Sequence, residues 1–140
     1  MKVLSINSYS LGGLFIKLFT FSKWNHTAIM FSDGMVFDVT ALSGVRKMHI
    51  SEYVKEYRRI DCYEVAVPDE TAGRVFAEAQ LGKKYDFGAI LGIVFQNRNW
   101  EKPDRWFCSE YAEATFVAAG KRRVRNNINS VLPRESYAIA

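Results

Sequence analysis

Apolar and polar residues alternate from Lys2 to Asn7, a period of two that predicts a strand. From Leu11 to Phe21 the period changes, with apolar residues at helical spacing around Lys17, and a helix is expected. Two apolar runs follow, Asn25 to Phe31 and Met35 to Val39, separated by Ser32-Asp33-Gly34. An Asp-Gly between such runs marks a hairpin, because glycine supplies the positive φ the turn requires. Ser51 is placed to cap a short helix through Arg58, and Asp61 to Val67 alternates as a strand until Pro68 stops it. Asp69 to Leu81 reads as a helix ended by Gly82, and Asp86 can cap an apolar helix from Phe87 to Phe95. The last helix is expected from about Asp104 to Ala119, with Gly120 ending it.

In that last helix Cys108, Ala112, Phe116 and Ala119 share one face, so Cys108 opens the buried stripe in the first turn. A thiolate is a strong nucleophile, and both a helix N-terminus and a nearby imidazolium stabilise it. The same position also suits a core cysteine, which behaves as a small hydrophobe. Periodicity does not choose between the two.

His26 lies on the strand entering the hairpin, and the hairpin's register decides its neighbours. With a three-residue loop of Ser32, Asp33 and Gly34, Ala28 faces Asp38, His26 faces Thr40, and Asp38 shares the face of His26. The diagonal is then roughly 7–8 Å, within side-chain reach. A carboxylate there orients the imidazole and holds its tautomer. With a two-residue loop Asp38 pairs with Ile29 and points away, leaving Thr40 as the rival orienting group.

Composition narrows the function classes. At 140 residues, 49% of them hydrophobic, the chain reads as one globular domain over 1–140 rather than a disordered segment. Cys62 and Cys108 are the only cysteines, which excludes a disulfide framework and a cysteine-paired metal site and fits a reducing compartment. The N-terminus breaks into Ser5, Asn7, Ser8 and Ser10 before an apolar stretch forms, so no secretory signal is expected. The protein is then cytoplasmic as synthesised, with release or delivery to the envelope by another route. The longest apolar run, Phe87 to Phe95, is half the roughly twenty residues a membrane span needs. Much of the net charge of +4 sits in Lys121 to Arg125, after Gly120. It reads as a solvated patch at a helix end, and no aromatic residue interleaves it to make a nucleic-acid stacking platform.

Three blocks resemble a known family. They are Leu14 to Ile29 with Asn25-His26-Thr27 at its end, Gly82-Lys83-Lys84-Tyr85-Asp86-Phe87-Gly88, and Trp106-Phe107-Cys108-Ser109-Glu110. In that order they are similar to the permuted NlpC-type papain-like proteins, the YiiX- and YebB-like branch. His26 precedes Cys108 by 82 residues, whereas the cysteine helix comes first in unpermuted relatives. The resemblance implies an α+β fold with an antiparallel sheet packed against the nucleophile helix. It further implies Cys108 as nucleophile, His26 as base and Asp38 as orienting group, with Tyr85 lining the substrate cleft or supporting the oxyanion; Trp106 flanks that cleft in sequence. Asn25 stands where a serine is common in the family. No metal or organic cofactor is implied.

The implied activity is amide or peptide cleavage, with a peptide or peptidoglycan-like substrate. A thiol-dependent acyltransferase or lipid deacylase, and a non-catalytic binding module on the same fold, are the alternatives. Tyr85, Trp100 and Trp106 carry polar donors that favour a peptide over an alkyl chain. His49 reads as a surface histidine and Cys62 as core.

Overall fold

Strands β1 (Lys2–Ile6), β2 (His26–Met30), β3 (Met35–Thr40), β4 (Gly44–His49) and β5 (Ile60–Glu64) form one antiparallel sheet in the order β4-β3-β2-β1-β5. The computed structural model describes residues 1–7, 25–57, 59–86 and 105–124; the helices expected over 11–21 and 87–95, together with Trp100, lie outside them. Alternation sorts the strand side chains into two layers. Val3, Ile29, Phe37, Val39 and Val45 face α2 (Glu70–Ala79) and α3 (Cys108–Ala118). Leu4, Ile6, Ala28 and Val36 pack on the other face around Tyr53 of α1 (Ile50–Glu56). The fold is thus α+β, as the family resemblance implies.

The structure departs from the sequence expectations at five places, each with a local cause. Strand β4 was not expected, because Arg46, Lys47 and His49 interrupt its apolar pattern. It is an edge strand, where charge is tolerated and only Val45 needs deep burial. Helix α1 is capped not by Ser51 but by His49, whose Nδ1 accepts from the Ser51 backbone N–H at 3.3 Å, and it ends at Glu56.

The last helix begins at Cys108, four residues later than expected. Arg105–Trp106 instead forms β7, paired in parallel with β6 (Lys84–Tyr85), and this holds the segment before Phe107 extended. Cys62, expected in the core, is exposed on edge strand β5. The basic run after Gly120 is not wholly a solvated patch. Arg123 turns inward to pair with buried Glu113 and lies 4.3 Å over the Phe116 ring.

Helix α3 is buried on nearly every side: besides its apolar stripe, Ser109, Glu110, Glu113 and Thr115 are also inside. The Phe107 N–H donates to Glu110 Oε2 at 3.3 Å, satisfying an amide that a helix start leaves open. α2 begins as expected, with Asp69 Oδ1 accepting from the Ala72 N–H at 2.9 Å.

β4 is tied to the segment leading into β6 by Val45 N–H to Lys83 O at 2.8 Å and Gly82 N–H to Val45 O at 2.9 Å. Gly44 lies at that junction with φ +65, and a Cβ there would stand 2.1 Å from the Lys83 carbonyl oxygen. Gly82 also has positive φ, at +81, but a Cβ there meets nothing. Gly82→Ala is expected to cost only the left-handed backbone penalty, about 1 kcal/mol. Gly44→Ala adds a backbone clash and is expected to cost several-fold more, about 3 kcal/mol or above. Denaturant unfolding of both variants checks this ordering.

Candidate active site

The β2–β3 connection is the three-residue loop. Phe31 N–H donates to Met35 O at 3.0 Å and Gly34 N–H to Phe31 O at 3.0 Å, while Gly34 takes φ +80. The ladder pairs Ile29 with Phe37 and Met30 with Val36; carried along the strands, it sets Ala28 opposite Asp38. Asp38 therefore shares the face of His26, and His26 Nε2 meets Asp38 Oδ2 at 2.9 Å. Thr40 Oγ1, the rival orienting group, accepts from the Ser43 N–H at 3.1 Å in the next turn.

Cys108 arrives from the opposite layer. His26 is the first residue of β2, at the sheet's end, and Cys108 is the first residue of α3. There the thiol stands close enough to the imidazole to raise its pKa. Its Nε2 is engaged with Asp38. All three side chains are buried: His26 is 8% exposed, Asp38 1% and Cys108 1%.

Burial works against an imidazolium at His26. The Asp38 hydrogen bond, the hydrogen bond and charge of Cys108, and the charge of Asp38 together outweigh it and push the His26 pKa up to about 10. Burial alone would raise the Asp38 carboxyl, but His26 and Arg46 hold it below the ordinary carboxylate range. The arrangement therefore favours a protonated His26 against an ionised Asp38.

Three further side chains belong to this cluster that sequence reasoning missed. Arg46 Nε donates to Asp38 Oδ1 at 2.8 Å and Nη2 to Oδ2 at 3.3 Å, and the Tyr53 hydroxyl donates to Oδ2 at 2.9 Å. Tyr57 stacks on the His26 ring with centroids 5.9 Å apart. Arg46 lies directly opposite Asp38 in the β3–β4 ladder, so recognising β4 as a strand would have revealed it.

Tyr85 and Trp106, expected along the cleft, are cross-paired in the β6–β7 ladder. Tyr85 is buried edge-on to Phe107, the residue before Cys108, and burial together with the Cys108 charge raises its phenol. Trp106 packs edge-on against Phe76 and Tyr111, and its indole N–H donates to Gln80 Oε1 at 3.2 Å. Its polar donor is thus committed within the protein.

Comparison with known proteins follows the same lines. The sequence model of a family described as permuted papain-like amidase enzyme, YaeF/YiiX, C92 family, matches residues 3–132. Among solved structures the chain is similar to the crystal structure of metalloprotein yiiX from Escherichia coli O157:H7. The TM-score is 0.65 at 23% identity, covering 87% of this chain and 67% of that one, a likeness of fold. No curated protein matches the chain.

The buried ion pair makes stability depend on pH. His26 has a folded pKa of about 10 against 6.5 for the free side chain, so its contribution is complete below about pH 6.5 and is lost as pH rises through 10. The melting temperature should fall across that window, and His26→Gln should flatten the decline while lowering the curve overall. Equal slopes for the two proteins would contradict the assignment.

Proposed function

This chain belongs to the YaeF/YiiX family of permuted papain-like amidases, and on that premise we propose that it cleaves amide bonds by a cysteine mechanism. In this reading Cys108 is the nucleophile, His26 the acid and base, and Asp38 the residue that positions His26. The observation that supports it is His26 buried and hydrogen-bonded to the Asp38 carboxylate at 2.9 Å, with the Cys108 thiol near enough to raise its pKa.

The chemistry follows from those contacts. The Cys108 thiolate attacks the substrate carbonyl carbon, and the C=O electrons move to oxygen. The Cys108 backbone N–H, at the start of α3, is the donor we assign to that oxyanion, together with a neighbouring donor. As the carbonyl re-forms, the C–N bond breaks and His26 gives its proton to the departing amine, leaving a thioester on Cys108. Water then attacks the thioester while His26 takes a proton from it. Collapse releases the carboxylic acid and restores the thiolate–imidazolium pair.

The solved neighbour is titled a metalloprotein. Among the described residues here no three His, Cys, Asp or Glu side chains converge so as to hold a metal ion.

The substrate we propose is a peptide amide, with the stem peptide of a cell wall as the leading candidate. With the Trp106 N–H given to Gln80, that preference rests on family membership and on the polar, buried character of the site. The test is turnover of short peptides and peptidoglycan-stem fragments beside long-chain acyl esters, with Cys108→Ala as the blank. Amide cleavage is expected to vanish in Cys108→Ala and to slow by about 10²- to 10⁴-fold in His26→Ala. Cys108-dependent ester release without amide cleavage would reassign the protein as a deacylase. Silence on both would favour a binding module.

A further inference from the structure

The Asp38 carboxylate does more than face His26. One oxygen, Oδ2, receives His26, the Tyr53 hydroxyl and Arg46 Nη2, while Oδ1 receives Arg46 Nε at 2.8 Å. Arg46 is itself held from behind, through Nη2 to Glu56 Oε2 at 2.7 Å and Nη1 to Oε1 at 3.2 Å. Three elements, β2, β4 and α1, thus converge on a single buried carboxylate of β3.

Geometry alone gives this cluster two effects. The guanidinium fork and the hydroxyl fix the plane of the carboxylate, so Oδ2 is presented to the imidazole in one orientation. They also compete for its electrons. A carboxylate bound only to His26 would hold the imidazolium too strongly for it to act as a proton donor, whereas one shared with a cation and a phenol holds it less strongly.

We propose that Arg46 and Tyr53 are positioning residues that fix Asp38 and share its charge, so that His26 can release its proton to the leaving amine. This rests on the cysteine-hydrolase reading of the same site. Neither residue touches the thiol in this scheme; both act through Asp38. The other titratable groups facing the cluster are accounted for. Tyr57 stacks on His26, Tyr111 of α3 feels the Asp38 charge, and Tyr85 beside Asp86 feels that of Cys108.

The experiment is an NMR titration of the imidazole resonances, assigned with His49→Gln, on the full chain and its variants. Cys108→Ala comes first. Removal of the thiol should lower the His26 midpoint, since Cys108 helps to raise it. If it does not, the thiol–imidazole pair and the hydrolase reading fail together, and this inference with them.

In the Cys108→Ala background, Arg46→Gln should then raise the midpoint by about one pH unit, because a cation within 4 Å of Asp38 has been removed. Tyr53→Phe should raise it by less. In the otherwise intact enzyme both variants should lose amide turnover while keeping the folded spectrum. A purely structural role would lower the melting temperature and leave the midpoint where it was. An unchanged or lowered midpoint in the folded variants overturns the proposal even when the Cys108→Ala shift is present. If Arg46→Gln does not fold, Tyr53→Phe decides by the same criterion.

Discussion

A carboxylate buried to 1% exposure is the constraint around which this protein is arranged. Asp38 cannot remain ionised in an apolar layer without compensation, since an isolated buried charge costs several kcal/mol or more. Compensation comes from His26, Arg46 and Tyr53, each carried by a different element. β2, β3, β4 and α1 must therefore take their observed registers together. A slip of one residue in either hairpin would turn Asp38 or its partners to the wrong face.

The other half of the site is built by a different device. α3 starts at Cys108 because the β6–β7 pairing keeps Arg105 and Trp106 extended, and Phe107 then turns the chain into the helix. The helix passes through the interior with its polar residues paired: Glu110 caps its own N-terminus and Glu113 meets Arg123. Its first residue thereby reaches the sheet's end, where β2 begins with His26. Two core layers on opposite faces of the sheet each supply one part of the candidate site. Joining them needs only that both elements start at the same edge.

Much of this was legible in the sequence, and the misses have physical reasons. Alternation identified β1 and β5, and two apolar runs about Asp-Gly in Ser32-Asp33-Gly34 identified β2, β3 and the hairpin on which the His26–Asp38 contact depends. The loop length could not be chosen from residues alone, since two- and three-residue turns both accommodate Asp-Gly. β4 was missed because an edge strand is free to carry charge, and with it went Arg46, whose role follows only from lying opposite Asp38. The start of α3 was misplaced because a two-residue parallel bridge leaves no periodic signal. Arg123 reads as solvated because nothing in a linear chain marks a partner ten residues back, and Glu113 carries no sign of burial beyond its place on the last helix.

Two cysteines offer an internal control for the central claim. Cys62 is exposed, and burial of its surroundings pushes its thiol up; Cys108 is enclosed but paired with His26. Exposure alone would make Cys62 the faster to react, whereas thiolate character would favour Cys108. Limited iodoacetamide at neutral pH, with the modified residue located by peptide mass spectrometry, separates the two. Cys108 should be carboxamidomethylated well before Cys62, and His26→Ala should abolish that preference. Labelling of Cys62 first, or a Cys108 rate indifferent to His26→Ala, would contradict a thiolate–imidazolium pair at this site.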